Sequence, residues 1–132
     1  GEYDGAKSAI SPSVPMTILD GNIEENANYQ SRIAAGDHAW VYAVSGELTL
    51  TIANQVVVLK TSQSIAVANN SDAEIVIQIN NSANQISKFA VFSAAPIKEK
   101  FVQKGPLIMN SLQEIEEVEA EFKAGKFGNI AQ

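Results

Sequence analysis

The stretch EKFVQKGPLIMNSLQEIEEVEAEFKAGKFG, residues 99–128, is where the pattern of the chain changes from alternating to helical. Ser111, followed three residues later by Glu114, has the spacing of a capping box, in which each side chain binds a backbone amide of the first turn. Apolar residues then recur at helical spacing, at Ile115, Val118 and Phe122. Gly125 can end the helix in a left-handed conformation. We therefore predict one helix over residues 112–124.

Upstream of this stretch, short runs of alternating apolar and polar residues predict β strands. The predicted strands are residues 16–19, 28–33, 39–44, 47–52, 55–59, 64–68, 73–79 and 86–92. Turn signals separate them, among them Asp20-Gly21-Asn22 after the first strand and Ala53-Asn54 as a tight hairpin. Many short strands followed by one helix predict an all-β fold of the sandwich or jelly-roll kind.

The composition limits the classes of protein to consider. The chain has 132 residues, of which 45% are hydrophobic, enough for one globular domain with a buried core. It has no cysteine, which excludes a disulfide framework and a thiolate metal site and agrees with a cytoplasmic location. The net charge of −6 disfavours direct binding to nucleic acid or to an anionic membrane. Because the first residue is Gly1 rather than Met, we expect an excised or processed piece.

The end of the chain resembles the C-terminal signature of the pirin family, whose members contain two cupin domains. The matching residues are Gly105, Pro106, Met109, Asn110, Glu114, Ile115, Gly125, Phe127 and Gly128. Conservative departures from the signature occur at Leu107, Ile108, Ser111 and Phe122. Residues 96–99 resemble a proline-led motif of the family, and residues 1–5 resemble the segment that links its two cupin domains. The similarity spans the chain but covers only the second half of a pirin.

The resemblance implies a cupin-type jelly-roll barrel, also called a double-stranded β-helix, with one C-terminal helix. It divides the chain into an interdomain linker or arm (residues 1–15), the barrel (residues 16–110) and the helix with its tail (residues 111–132). Family members are reported to hold iron in the N-terminal cupin, which this sequence lacks. For the whole protein the resemblance implies an iron-dependent dioxygenase of the quercetin 2,3-dioxygenase type, and some members act instead as transcriptional co-regulators.

The ligand positions of a metal-binding cupin carry unsuitable residues in this sequence. If Gly46 is the glycine of the cupin ligand block, the glutamate position falls on Ala39. The histidine positions fall on Ile33 and Ala35 or, with the alternative spacing, on Arg32 and Ala34. A metal site needs several imidazole or carboxylate ligands around one ion. We therefore expect a metal-free domain with no catalytic, metal-binding or cofactor-binding residue of its own.

His38 and a pair of aromatic residues are the remaining candidates for a site. We interpret His38, the one histidine of the chain, as a turn residue after Gly36-Asp37, and otherwise as a polar pocket residue. A Ser-His-Asp triad would have to use it, although its adjacency to Asp37 gives no hydrogen-bonding geometry. Trp40 and Tyr42 have the same parity and should share a face. We interpret them as core or interface packing, or alternatively as the mouth of a barrel cavity for an apolar or planar ligand.

Two functions of different classes follow. The first is a non-catalytic C-terminal cupin that supports an N-terminal iron-binding cupin. The alternative is a small-molecule-binding or protein-interaction module, such as a co-regulator. A closed barrel interior would disfavour small-molecule binding. Exposure of Leu107, Ile108, Phe122 and Phe127 would instead indicate a surface for docking to another protein. The expected partners are the N-terminal cupin and a second copy of the chain, held through the bared interface or the arm at residues 1–14, with neither nucleic acid nor membrane.

Overall fold

The alternating segments form extended strands and the last segment forms a helix, in a computed structural model that describes residues 2–3 and 5–128. The residue at position 4, residue 1 and residues 129–132, which include part of the predicted arm and tail, lie outside the described residues. In chain order the elements are β1 (Glu2–Tyr3), β2 (Ala6–Lys7), β3 (Met16–Ile23), β4 (Asn28–Ile33), β5 (His38–Ser45), β6 (Glu47–Ile52), β7 (Gln55–Lys60), β8 (Ser64–Ala68), β9 (Ile75–Asn80), β10 (Ser87–Ala94), β11 (Val102–Lys104), β12 (Leu107–Met109) and α1 (Leu112–Lys123).

Two four-stranded antiparallel sheets make up most of the first of two compact units, Gly1–Pro96 and Ile97–Gln132. Sheet I has the strand order β3-β10-β5-β8, and sheet II has the order β4-β9-β6-β7. Consecutive strands therefore alternate between the sheets along most of the chain, which is the winding of a jelly roll. This confirms the predicted fold class, an all-β cupin-type barrel with one C-terminal helix.

The inner faces of the two sheets share one hydrophobic core, because alternate residues of each strand point to the same side. Sheet I contributes Ile23, Ala39, Val41, Ala43, Phe89 and Val91. Sheet II contributes Ile33, Leu48, Leu50, Leu59, Ile77 and Ile79. The parity predicted for residues 47–52 and 75–79 is confirmed, with Val76 on the outer side.

The predicted turn at Asp20-Gly21-Asn22 is wrong, because these residues continue β3. They pair with Ala90, Phe89 and Lys88 of β10 in an unbroken antiparallel register. Gly21 allows the ring of Phe89 to approach the backbone of β3 closely and does not form a turn. A Cβ atom at this position would lie 2.6 Å from Cζ of Phe89. The ring of Phe89 covers the glycine, and this contact lets both strands run their full length.

Two buried asparagines connect the two sheets through side-chain hydrogen bonds to backbone carbonyls. Asn69 follows β8 of sheet I, and its Nδ2 donates to the carbonyl oxygens of Ile33 (3.3 Å) and Ala34 (2.9 Å) at the end of β4 in sheet II. Asn81 follows β9 of sheet II, and its Nδ2 donates to the carbonyl oxygen of Ile23 (2.9 Å) at the end of β3 in sheet I. Buried carbonyls need such partners, so these side chains hold the barrel ends together.

The predicted hairpin at Ala53-Asn54 is confirmed between β6 and β7. Both residues have positive φ angles, 46° for Ala53 and 66° for Asn54. Two residues in this conformation give the primed type of turn that matches the twist of a two-stranded ribbon. Asparagine tolerates the conformation, whereas alanine is strained in it.

The second unit consists of the hairpin β11-β12 and helix α1. The helix begins at Leu112, and its capping box is confirmed: the backbone amide of Glu114 donates to Oγ of Ser111 (3.3 Å), and that of Ser111 donates to Oε2 of Glu114 (3.3 Å). Gly125 has a φ of 72° just after the helix, as predicted. None of the helices in the described ranges is long and apolar enough to cross a membrane.

Candidate functional site

His38 is the first residue of β5 and points away from the core, so its interpretation as a turn residue is wrong. The turn before it is already closed by the backbone amide of Asp37, which donates to the carbonyl oxygen of Ala34 (3.1 Å), with Gly36 in a left-handed conformation. His38 then pairs in register with Ala94 and Ala68 on the neighbouring strands. Its side chain is exposed at the end of the outer face of sheet I.

Within residues 2–3 and 5–128, Ser93 and Asp37 do not form a Ser-His-Asp triad with His38. Oγ of Ser93 donates to Oδ2 of Asp37 at the long distance of 3.5 Å. Ser93 pairs with Ala39 and is buried on the inner side of sheet I, whereas His38 points outward. A nucleophile and its base must lie within hydrogen-bonding reach, and these two side chains are on opposite faces of the sheet.

Two of the five positions at which a cupin would carry metal ligands are filled with core residues, and the other three, Arg32, Ala34 and Ala35, are exposed. Ala39, at the glutamate position, is buried, and Ile33, at one histidine position, is completely inaccessible to solvent. Gly46, the glycine of the same block, has a φ of 84°, and a Cβ atom there would lie 2.9 Å from Cβ of Ser87. The backbone of the block is thus kept while its donor atoms are missing. Within residues 2–3 and 5–128, no three histidine, cysteine or acidic residues are grouped to hold a metal.

Among residues 5–128, the buried polar side chains of the barrel include no histidine, lysine or acidic residue that could transfer a proton near neutral pH. Its buried polar residues are Ser31, Asn69, Asn81, Ser87 and Ser93. Their side chains are committed to structural hydrogen bonds; for example, Oγ of Ser87 donates to Oδ1 of Asn81 (3.0 Å). General acid–base catalysis needs a group with a pKa near the working pH, such as an imidazole or a perturbed carboxyl. None of these five residues offers an imidazole, carboxylate or thiolate of the kind that binds iron.

The outer face of sheet I carries exposed aromatic and aliphatic side chains, which we name the aromatic face: Met16, Ile18, Trp40, Tyr42 and Phe92. The rings of Trp40 and Phe92 have centroids 5.2 Å apart, and those of Trp40 and Tyr42 are stacked at 5.5 Å. The prediction that Trp40 and Tyr42 share a face is confirmed. The alternative that they line the mouth of an interior cavity is wrong, because strand parity turns them away from the barrel interior.

A shallow depression of about 440 Å³ lies over the aromatic face, bounded by Ile18, Trp40, Phe92 and the small side chains of Ala66 and Ala94. A second depression, of about 480 Å³, runs between β3 and the N-terminal arm. Its lining includes Tyr3, Ile10 and Pro12, and it shares Met16 and Ile18 with the first depression. The apolar surface is therefore continuous from the arm to the middle of sheet I.

Sequence reasoning missed Met16 and Ile18 as members of this surface. The signal was present, because Met16, Ile18 and Leu19 place apolar side chains on both sides of one strand. A strand that is apolar on both faces indicates that both are covered by other groups. Phe89 lies in the core and Phe92 on the outer face, so the phenylalanines separate according to parity.

The second unit also exposes three of the four residues that were predicted to indicate a docking surface, whereas Leu107 is half-buried. Ile108, Phe122 and Phe127 are 59%, 73% and 61% exposed. The rings of Phe122 and Phe127 have centroids 6.3 Å apart. Ile115 is the one residue of the predicted helical stripe that is fully buried. Phe122 is thus available for contact with another molecule.

Comparison with known proteins identifies the relatives of this chain. The family described as "Pirin C-terminal cupin domain" matches residues 18–128. Pirin from Mus musculus is 27% identical over 128 residues, which cover 97% of this chain and 43% of that protein. A pirin-like protein from Solanum lycopersicum is also 27% identical, with 97% of this chain and 42% of that protein covered. The chain thus spans less than half of the curated relatives that it matches.

Solved structures agree with these relationships. A quercetin 2,3-dioxygenase from Acinetobacter baumannii superimposes with a TM-score of 0.81 and 27% identity, over 99% of this chain and 43% of that one. A de novo designed double-stranded β-helix superimposes with a TM-score of 0.55 and 13% identity, over 58% of this chain and 97% of the design. The second likeness supports the barrel fold alone.

Proposed function

The chain belongs to the pirin C-terminal cupin domain family, and from that premise we propose that it is the non-catalytic cupin of a two-cupin protein. Its role is to support an N-terminal cupin that binds iron, as the family resemblance implies. The similar quercetin 2,3-dioxygenase of Acinetobacter baumannii supports a dioxygenase activity for the whole protein. The lack of cysteine supports a cytoplasmic location as part of the same proposal.

One observation carries the non-catalytic assignment: aliphatic core residues, Ile33 and Ala39, stand at two of the positions where a cupin metal site needs its ligands. Ile33 and Ala39 belong to the continuous core of the barrel, so substituting ligands there would create a new site at the expense of packing. The glycine turn next to them is kept, as expected when a fold is retained for its shape after its metal chemistry is lost.

Metal analysis tests this assignment. The purified chain is incubated with Fe²⁺ or Zn²⁺, desalted and measured by inductively coupled plasma mass spectrometry, with the variant His38→Ala as the matched control. We expect both proteins to retain less than about 0.1 metal ion per chain, since one exposed imidazole is a weak ligand. Retention of about one ion per chain that disappears in H38A would contradict the assignment.

The gene upstream of the codon for Gly1 tests the supporting role. A preceding reading frame that encodes a cupin with several histidines and a glutamate at ligand spacing is the expected result. If the upstream frame encodes no metal-binding cupin, the dioxygenase proposal fails. In that case the second candidate, a protein-interaction module, takes its place.

Exposed residues of the second unit offer a docking surface for the N-terminal cupin of the first candidate. Phe122 and Phe127 are large aromatic side chains that lie in mutual contact and face solvent. Aromatic residues of this kind often provide most of the binding energy in protein interfaces. The variant Phe122→Ser/Phe127→Ser should therefore lose binding to the N-terminal cupin in an isothermal titration, whereas Glu116→Ser/Glu117→Ser on the same helix should bind with unchanged affinity.

A further inference from the structure

The aromatic face has one central row of side chains that crosses all four strands of sheet I. Phe92 lies opposite Ile18 on one neighbouring strand and opposite Trp40 on the other, and Trp40 lies opposite Ala66. Ile18 is 61% exposed and Trp40 42% exposed. Ile18, Phe92 and Trp40 therefore form a row of large apolar side chains, which we call the ridge. Ala66, at the end of this row, leaves a lower surface, which we call a shelf.

The rows on either side of the ridge are low on β10 and β8, whereas Met16 on β3 and His38 and Tyr42 on β5 are large. On β10 the outward residues flanking Phe92 are Ala90 and Ala94, and on β8 the outward residues include Ala66 and Ala68. A ridge of aromatic side chains beside alanine shelves can pack against a second copy of the same surface, because each ridge finds a shelf. Two sheets packed face to face in this way interdigitate their side chains across about 10 Å.

The charges of this face also suit a second copy. The chain as a whole has a net charge of −6, which opposes self-association. On the outward positions of the four strands of sheet I, however, the formally charged residues are one acid, Asp20, and one base, Lys88. A face with no net charge meets a copy of itself without like-charge repulsion, and each copy offers both members of an ion pair.

We propose that the aromatic face binds a second copy of this chain in a two-fold symmetric dimer. A two-fold contact uses the same patch on both subunits, so a patch must be complementary to itself. The ridge, the alanine shelves and the balanced charges of sheet I meet that requirement. This inference uses residues of the chain alone and does not depend on the proposed iron-binding partner.

The size of the face predicts a weak dimer. Strands about 4.8 Å apart with a rise of about 3.3 Å per residue give the four-stranded face an area of roughly 400 Å² once its side chains are included. A typical stable interface buries about 800 Å² on each partner. The adjoining depression beside Ile10 and Pro12 can extend the contact. We therefore expect a dissociation constant in the micromolar range.

Sedimentation velocity of the 132-residue chain between about 5 μM and about 1 mM tests the proposal. The expected result is a reversible monomer–dimer equilibrium that Trp40→Thr/Phe92→Thr shifts toward monomer by at least about tenfold in dissociation constant. The matched control is Val56→Thr/Val58→Thr, since these valines are exposed on the outer face of sheet II. We expect this control to dimerise like the original chain. Circular dichroism verifies that both variants are folded.

Exchange of the two charges is a second, independent test. Asp20→Lys and Lys88→Asp each leave the face with two like charges, so each should weaken the dimer about fivefold at low salt. The double variant D20K/K88D restores a neutral face and should return the dissociation constant to within about twofold of the original. A change in secondary structure is not expected, because both side chains are exposed.

Several results would overturn the proposal. One is a strictly monomeric chain at about 1 mM; another is a dimer that survives W40T/F92T and is lost in V56T/V58T. A third is an N-terminal cupin domain, added in trans, that dissolves the dimer, forms a one-to-one complex and loses binding in W40T/F92T. That result would assign the aromatic face to the N-terminal cupin instead of a second copy.

Discussion

Sheets I and II close the same barrel and both bury apolar side chains in it, but their outer faces differ. Sheet II places Ile33, Leu50 and Ile77 in the interior, and its outward positions on β6 and β9 include Thr49, Thr51 and Gln78. The interior residues of sheet I include glycine and alanines, at Gly21, Ala39 and Ala43, whereas its outward positions carry the aromatic face. Sheet II is therefore the usual half-buried sheet, and sheet I is built for contact on both faces.

The difference shows that the two faces of one sheet can serve different purposes. On the inner side of sheet I, Ala39 provides no donor atom at the position aligned with a cupin metal ligand. On its outer side, Trp40 and Phe92 expose aromatic rings that offer a contact surface.

The largest expected effect separates the interior of sheet II from the exterior of sheet I. Leu50→Ala removes a fully buried side chain and should lower the free energy of unfolding by about 3–4 kcal/mol. Ile18→Ala, on the aromatic face, should lower it by less than about 1 kcal/mol. Urea denaturation at about 0.1 μM protein, below the dissociation constant expected for the dimer, measures both with little contribution from self-association. Equal losses would mean that the outer face of sheet I is covered within the monomer.

The connection between the sheets should be almost as important. Asn69→Ala leaves the carbonyls of Ile33, Ala34 and Ala73 without the amide that now donates to them, and should cost about 3 kcal/mol. The neighbouring Asn70 is exposed, so Asn70→Ala serves as the control and should change stability by less than about 0.5 kcal/mol. A loss below about 1 kcal/mol for Asn69→Ala would show that water replaces the side chain.

The contact between Gly21 and Phe89 on the inner side of sheet I should give an intermediate loss of stability. Gly21→Ala forces a methyl group against the ring of Phe89 and should cost about 2 kcal/mol. Phe89→Leu in the same chain removes the obstructing ring, so the double variant should lose less than the sum of the two single variants. Thermal unfolding measures the three losses of stability. If the loss in the double variant equals the sum of the single losses, the ring of Phe89 is not what excludes a larger side chain at position 21.

The smallest expected change in stability is in sheet II, at the tight hairpin between β6 and β7. Ala53→Gly relieves a side chain held at a φ of 46° and should raise stability by about 0.5–1 kcal/mol, since the left-handed conformation costs alanine more than glycine. Chemical denaturation measures the gain. A loss of stability would mean that the entropy of the unfolded glycine outweighs the relieved strain.

Predictions from the sequence succeeded where one local rule governed the result. The capping box at Ser111 and Glu114, the helix that follows, and the hairpin at Ala53-Asn54 are each set by a few neighbouring residues. The predictions failed at Gly21, where pairing with β10 and the ring of Phe89 outweigh a turn signal. They also failed at His38, because the turn ends at Asp37 and His38 already belongs to β5. The function of Asn69 was invisible for the same reason, because its acceptors lie 35 and 36 residues away.

The sequence by itself determined the strand parity, the C-terminal helix and the supply of one histidine and no cysteine, since these follow from residue identity and local spacing. It also determined that Trp40 and Tyr42 share a face. Tertiary structure alone decided which face that is and that Ile18 and Phe92 join it, because two faces of a strand become inside and outside only when a second sheet covers one of them. The aromatic face is therefore a product of pairing between strands that are distant in the sequence.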